Sequence, residues 1–212
     1  MGFGRRVCVY VVRPDGRTVT EHRPQAVVMA GPNGSGKSTC AELLLPSDME
    51  FINADVIAQQ ISGERSTTAD LAAGRILLAR ISELQDQGRD FALETTLATK
   101  MLEPRIQNLR AMGYECHLFF LYLPSDDLAV ERVAARVRTG GHDVPEATVR
   151  RRYAKGLRMF FTVYRNLFDC WRMYDNSRIA DPQLIASGAM DDVTQCVQPE
   201  LFKQIEEKWA DV

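Results

Sequence analysis

Gly31-Pro32-Asn33-Gly34-Ser35-Gly36-Lys37-Ser38 follows the short apolar run Ala26-Val27-Val28-Met29-Ala30 and opens into Thr39-Cys40-Ala41-Glu42-Leu43-Leu44. The stretch satisfies G-x-x-x-x-G-K-[ST] at every fixed position and lies between a predicted strand and a predicted helix, the context this pattern needs. Glycines let such a loop curl until its backbone N–H groups point inward at a phosphate, and the dipole of the following helix adds positive potential. The Lys37 ammonium reaches the β and γ oxygens, and the Ser38 hydroxyl is the expected ligand of Mg²⁺. Gly31, Asn33, Gly34, Ser35, Gly36, Lys37, Ser38 and Thr39 are therefore the candidate triphosphate-binding residues. No N-K-x-D guanine box and no LSGGQ-like signature occurs, which moves the weight from GTPase switches and ABC-type ATPases towards phosphoryl transfer to a small-molecule hydroxyl.

Around this loop the chain alternates short β-rich runs with helical stretches. Ala26–Ala30, Phe51–Asp55, Phe91–Leu97, Cys116–Leu123 and Cys170–Tyr174 are the predicted strands, and several are apolar without alternation, as strands buried on both faces are. Ala73, Leu77, Ile81 and Leu84 place one apolar stripe on a helix that runs to about Gln87 and stops at Gly88. Ser125 is the expected N-cap of a helix over 126–139, and Pro145 precedes another from Glu146 towards Asn166. This alternation predicts an α/β fold with a mainly parallel sheet. Val7–Val12 and Thr18–Glu21, joined through Pro14-Asp15-Gly16, predict a small β-hairpin appendage over 1–24, with the main domain over 25–212. Beyond Ser177 the pattern weakens to a strand at Leu184–Ala186 and a helix near Glu200–Ala210.

The 212 residues, 45% hydrophobic and 25% charged, suffice for one domain with its own core. Twenty-six Lys and Arg against 28 Asp and Glu give a net charge of -2, which argues against nucleic acid as the main partner. The longest apolar run, Leu118–Leu123, falls far short of the roughly 20 residues a spanning helix needs, so no membrane association is expected. The N-terminal apolar run is too short for a secretory leader, and Arg6 stands where a myristoylation signal wants Ser or Thr. Five scattered cysteines, with no CxxC pair, predict a reduced cytoplasmic protein without disulfides or structural zinc.

Ligands of open α/β sheets bind beyond the carboxyl ends of the strands, so acidic residues there are the next candidates. Asp55 closes Phe51-Ile52-Asn53-Ala54-Asp55, where it reads either as a helix N-cap or as a base that orients an attacking hydroxyl. Glu94 follows the apolar Phe91-Ala92-Leu93 and is costly to bury without a partner. Thr96 is preferred to Thr95 because strand alternation puts it on the same face as Glu94. Arg132 and Arg136, four apart on the flank of a Val130, Val133, Val137 stripe, read either as a solvated helix face or as an anion clamp. Gly140-Gly141 separates this helix from Arg150-Arg151-Arg152-Tyr153, an arrangement suited to an Arg-rich lid over about 126–153. Three arginines near a helix N-terminus oppose the macrodipole and are better explained by a phosphate across the cleft, with a basic surface patch as the alternative. His142 and Cys40 read as structural residues.

Taken together, Gly31–Thr39, Asn53-Ala54-Asp55, Leu93-Glu94-Thr95-Thr96-Leu97, Arg132–Arg136, Gly140-Gly141-His142, Arg151-Arg152-Tyr153 and Tyr174-Asp175-Asn176-Ser177 resemble the zeta-toxin family of P-loop kinases, from about residue 25 to 177. The resemblance implies a nucleoside-phosphate-kinase-like fold, ATP and Mg²⁺ as cofactors, and phosphorylation of UDP-N-acetylglucosamine at a sugar hydroxyl. It implies Lys37 as the Walker lysine, Asp55 as the base for the acceptor hydroxyl, and Glu94 with Thr96 and Asn53 as substrate-binding residues. Arg136 and Arg152, the latter favoured over Arg151, fall on the arginines that stabilise the transferring phosphate, and Arg132 joins the ATP-binding set. An antitoxin protein is the partner it implies. Two other readings stand beside it: a kinase for another small hydroxyl substrate, and an ATP-dependent regulatory module controlling a protein partner.

Overall fold

The computed structural model describes residues 8–12, 18–53, 67–141 and 143–210. Strands β1 (Cys8–Val12) and β2 (Thr18–His22) pair antiparallel in a two-stranded sheet of their own, as the predicted hairpin requires. The main sheet has seven strands in the order β4-β5-β3-β6-β7-β8-β9. They are β3 (Gln25–Ala30), β4 (Glu50–Ile52), β5 (Phe91–Thr95), β6 (Glu115–Tyr122), β7 (Cys170–Asp175), β8 (Gln183–Ala189) and β9 (Asp192–Cys196). The first five in spatial order run parallel; β8 pairs antiparallel with β7, and β9 pairs antiparallel with β8. All six residues of β3 and seven of eight in β6 are buried, which explains why those runs carry no polar alternation.

The described α-helices are α1 (Lys37–Leu44), α2 (Thr67–Asp86), α3 (Glu103–Ala111), α4 (Asp126–Arg138), α5 (Glu146–Met159) and α6 (Pro199–Trp209). α1 covers one face of the sheet, where Cys40 and Ala41 meet Val27, Met29, Phe119 and Leu121. The larger core on the other face joins Val28, Phe120 and Met173 to Ile81, Leu84, Val133, Tyr153 and Phe160. Each large apolar side chain fully removed from water there contributes roughly 1.5–3 kcal/mol. Ser125 caps α4 as expected, its side chain accepting a hydrogen bond from Leu128 N at 3.1 Å. Of the stripe expected on α4, Val133 is core and Val130 half-buried, whereas Val137 is exposed and Ala129 takes the inner position.

Several boundaries differ from the sequence expectation for physical reasons. β4 pairs with β5 over only three residues, so it ends at Ile52. β5 ends at Thr95, because Leu97 adopts a left-handed φ of 53° and its N–H returns to Thr95 Oγ1 at 3.1 Å. α3 and β9 were not anticipated. Every residue of β9 is exposed and α3 buries only Ile106 and Leu109, so neither carries a strong apolar pattern.

Aromatic packing ties this antiparallel edge to the rest. Trp171 stands edge-on to Phe160 with centroids 5.6 Å apart and stacks on Phe202 of α6 at 6.0 Å, while its Nε1 donates to Met190 O at 2.9 Å. A Cβ at Gly188 would come within 2.0 Å of Asp192 O and 2.5 Å of the Trp171 ring. Gly188→Ala is therefore expected to destabilise the fold by about 1–3 kcal/mol through overpacking, read as a lower denaturant midpoint.

Candidate active site

The loop between β3 and α1 has the curled backbone that its glycines foretold. Gly31, Gly34 and Gly36 have φ of 140°, 79° and 81°, a region that disfavours side chains. Cβ atoms at the three would meet Leu121 O at 2.5 Å, Ala129 O at 2.7 Å and Asn176 Nδ2 at 2.7 Å. The N-terminus of α1 has no side-chain cap and no acidic residue in its first turn, which leaves its orphan N–H groups and dipole facing the loop. Ser35 Oγ is buried in the loop without a hydrogen-bond partner. These features fit a bound phosphate chain.

Lys37 is 5% exposed, and its Nζ donates to Gly31 O and Pro32 O at 2.9 Å each, across the concave side of the loop. Glu94, at the carboxyl end of β5, reaches the same point because β5 lies beside β3 in parallel register, with Met29 opposite Glu94. Its Oε1 is 3.6 Å from Lys37 Nζ, and its Oε2 accepts from Ser38 Oγ at 2.7 Å and from Asn53 Nδ2 at 2.8 Å. Lys37, Ser38, Asn53 and Glu94, named separately from the sequence, thus form one cluster. A hydroxyl and a carboxylate side by side are hard oxygen donors of the kind Mg²⁺ takes, together with its waters. Asp55 and His142 lie outside the described residues.

Thr96 follows β5 rather than belonging to it, and its carbonyl abuts Gly156 of α5, where a Cβ would approach to 2.5 Å. This contact sets α5 against the end of β5. From the same helix Arg152 Nη1 lies 3.4 Å from Asn33 Oδ1 in the loop, whereas Arg151 is exposed. Arg150 departs from the phosphate explanation given to all three arginines: it bridges Asp126 and Asp127 at the start of α4 and Glu146 at the start of α5. Those carboxylates stand in the first turns of both helices, where they complement the dipoles, and Arg150 neutralises them, which explains a cation at this position. Arg136 runs beside Gly141, where a Cβ would fall 2.4 Å from Arg136 Cγ, so the second glycine makes room for the arginine stem. The first, Gly140, is needed for its φ of 84°.

Arg132 donates to Asn176 O at 2.8 Å and to Ser177 O at 2.6 Å, in the turn after β7. Asn176 is 1% exposed and was not among the candidates; only its place in the last quoted motif pointed to it. Cys40 is fully buried beneath the loop, and burial pushes its thiol pKa up, partly opposed by the Asn176 side chain, in keeping with a packing role. Tyr153 donates to Leu123 O at 2.8 Å, and burial raises its phenol as well.

Residues 27–155, more than half of the chain, match the family described as AAA domain. The chain belongs to that AAA domain family. An uncharacterized protein of Haemophilus influenzae is 31% identical to this AAA domain protein over 129 residues, which cover 61% of this chain and 92% of the relative. Among solved structures, a chain of the PezAT chromosomal toxin–antitoxin system of Streptococcus pneumoniae superposes with a TM-score of 0.58 at 17% identity, covering 89% of this chain and 86% of its own. A chain of the AvrRxo1-ORF1:-ORF2 complex with ATP gives 0.67 at 15% identity, covering 90% and 65%. The AAA domain protein thus has the α/β fold of the P-loop NTPases, a fold that binds nucleotides at the loop described above. Among the described residues no helix is long and apolar enough to cross a membrane.

Proposed function

We propose that the protein is an ATP- and Mg²⁺-dependent phosphotransferase that acts on a hydroxyl of a small molecule, with UDP-N-acetylglucosamine or a related nucleotide sugar as the first candidate. The observation that carries this reading is the convergence of Lys37, Ser38, Asn53 and Glu94 at the mouth of the phosphate loop. A cavity of about 840 Å³ opens directly beside Ser38 and Asn53 and is lined with Ala41, Leu45, Phe51 and Ile76, room for an acceptor next to the γ-phosphate position. The resemblance of the motifs to zeta toxins supplies the nucleotide sugar. The likeness to a chain of a toxin–antitoxin system and to a chain of the AvrRxo1-ORF1:-ORF2 complex supports an antitoxin-like protein partner.

In this reading the loop N–H groups and Lys37 hold the triphosphate, while Ser38, with Glu94 beside it, holds Mg²⁺. The ion supplies charge neutralisation on the phosphates when bound. Asp55 aligns the acceptor hydroxyl and takes its proton as the oxygen attacks the γ-phosphorus and the bond to the β–γ bridging oxygen breaks. Asn53, Glu94 and Thr96 hold the acceptor. Arg136 and Arg152 spread over the γ-phosphoryl oxygens, where developing charge is strongest, and Arg132 acts on the nucleotide side of the loop.

Incubation with ATP, Mg²⁺ and a panel of nucleotide sugars, followed by mass spectrometry, tests the acceptor: an adduct one phosphate heavier is expected, absent with Lys37→Ala. Gain of phosphate only by other hydroxyl compounds would move the substrate, and no gain by any would sink the transferase reading. For the base, single-turnover transfer by Asp55→Ala is expected to fall by about 10²–10⁴. A rate within about threefold of wild type removes Asp55 from that role.

A further inference from the structure

We propose that Asn176 is a positioning residue for nucleotide binding, a second pillar that holds the phosphate loop in its binding shape from the far end of the fold. Asn176 lies 141 positions from Ser35, immediately after β7, yet its Nδ2 donates to Ser35 O at 2.6 Å. The contact is 1% exposed on the Asn176 side and fully buried at Ser35, so water does not compete for it.

Three observations give the contact direction. Gly36 lacks the Cβ that would stand 2.7 Å from Asn176 Nδ2, so the last glycine of the loop admits this amide. Asn176 Oδ1 has no hydrogen-bond partner, so the side chain is held through its Nδ2, which donates to Ser35 O and lies beside the buried Cys40 thiol. The Asn176 backbone is itself fastened on both sides, its N–H donating to Tyr122 O at 3.0 Å and its carbonyl accepting from Arg132 Nη1 at 2.8 Å. The amide is therefore held by β6, by β7 and by α4, and it pulls the Ser35 carbonyl away from the concave side of the loop. A peptide has its N–H opposite its C=O, so anchoring the Ser35 carbonyl outward turns the Gly36 N–H towards the phosphate side. Through Arg132 the same link connects the loop to α4, which also carries Arg136.

The inference rests on nucleotide binding at this loop and is tested by ATP affinity in Asn176→Ala and Asn176→Asp, each first shown to be folded by its melting curve without ATP. At about pH 8 both variants are expected to bind ATP about tenfold more weakly than wild type or worse, with the aspartate, whose carboxylate meets the Ser35 carbonyl oxygen with no donor between them, the weaker. On lowering the pH to about 5, a buried carboxyl takes up its proton and regains an O–H that can donate to Ser35 O. The Asn176→Asp to wild-type affinity ratio should then recover while the Asn176→Ala ratio stays flat, a divergence that a merely structural role does not produce. Binding by Asn176→Ala within about twofold of wild type, or parallel pH behaviour of the two variants, overturns the inference. Wild-type protein that binds no nucleotide while folded overturns the nucleotide reading itself, and this inference with it. If Asn176→Ala fails to fold, the pH recovery of the isosteric Asn176→Asp decides alone.

Discussion

Lys37→Ala is expected to lower phosphoryl transfer by about 10³-fold, with weaker ATP binding and a ligand-free fold that remains intact. Lys37 is the cation at the centre of the loop: its ammonium is 5% exposed, bonded to Gly31 O and Pro32 O, and 3.6 Å from Glu94. A charge held in so little solvent acts on a phosphate through a low effective dielectric, which is why its loss outweighs that of a surface lysine. Lys37→Arg should fail to restore the rate, since a planar guanidinium is bulkier than the slot between two carbonyl oxygens and points its donors in a fixed fork. Rapid-quench measurement of transfer at saturating ATP, beside the melting curve, separates catalysis from folding. A rate for Lys37→Ala within about tenfold of wild type would remove the loop from the chemistry.

Glu94→Gln is expected to lower the rate constant at saturating ATP by about 10²–10³. The substitution keeps the shape and leaves one oxygen to accept from Ser38 and Asn53. It also turns an amide N–H₂ towards the Lys37 ammonium, where Glu94 presents Oε1 as an acceptor. Lys37 and Ser38 then lose the anion that orients both. Because the amide is neutral, the loss falls on the charge-dependent step and leaves the melting temperature within a few degrees, about the shift expected for 1 kcal/mol. An unchanged rate, with only the Michaelis constant for the acceptor raised, would confine Glu94 to acceptor binding.

Much of the scaffold was legible before any coordinates. Buried runs without alternation announced β3 and β6, and Ser125 announced the start of α4. The antiparallel edge was not legible, because β9 is exposed along its whole length and owes its place to pairing with β8. The arginines divided in a way that spacing could not foresee. Arg152 reaches Asn33 in the loop, Arg132 is drawn to the carbonyl oxygens of residues 176 and 177, and Arg150 is consumed by three carboxylates at two helix starts. Residue type and helical spacing do not distinguish the three, and only what each meets across the fold separates them.

By itself the sequence determined what is local: the curl of residues 31–38, whose φ values only glycine adopts readily, the free helix N-terminus behind it, and the alternation that makes an α/β sheet. The tertiary structure alone decided what those groups meet. Parallel pairing of β5 with β3 brings Glu94 to Lys37 and Ser38 across more than fifty residues of chain, and β7 delivers Asn176 to Ser35 from 141 positions away. Periodicity records which face of an element is buried, but it carries no record of which strand lies beside which. That choice belongs to the long-range packing of the whole sheet, and it is there that separate motifs became one site.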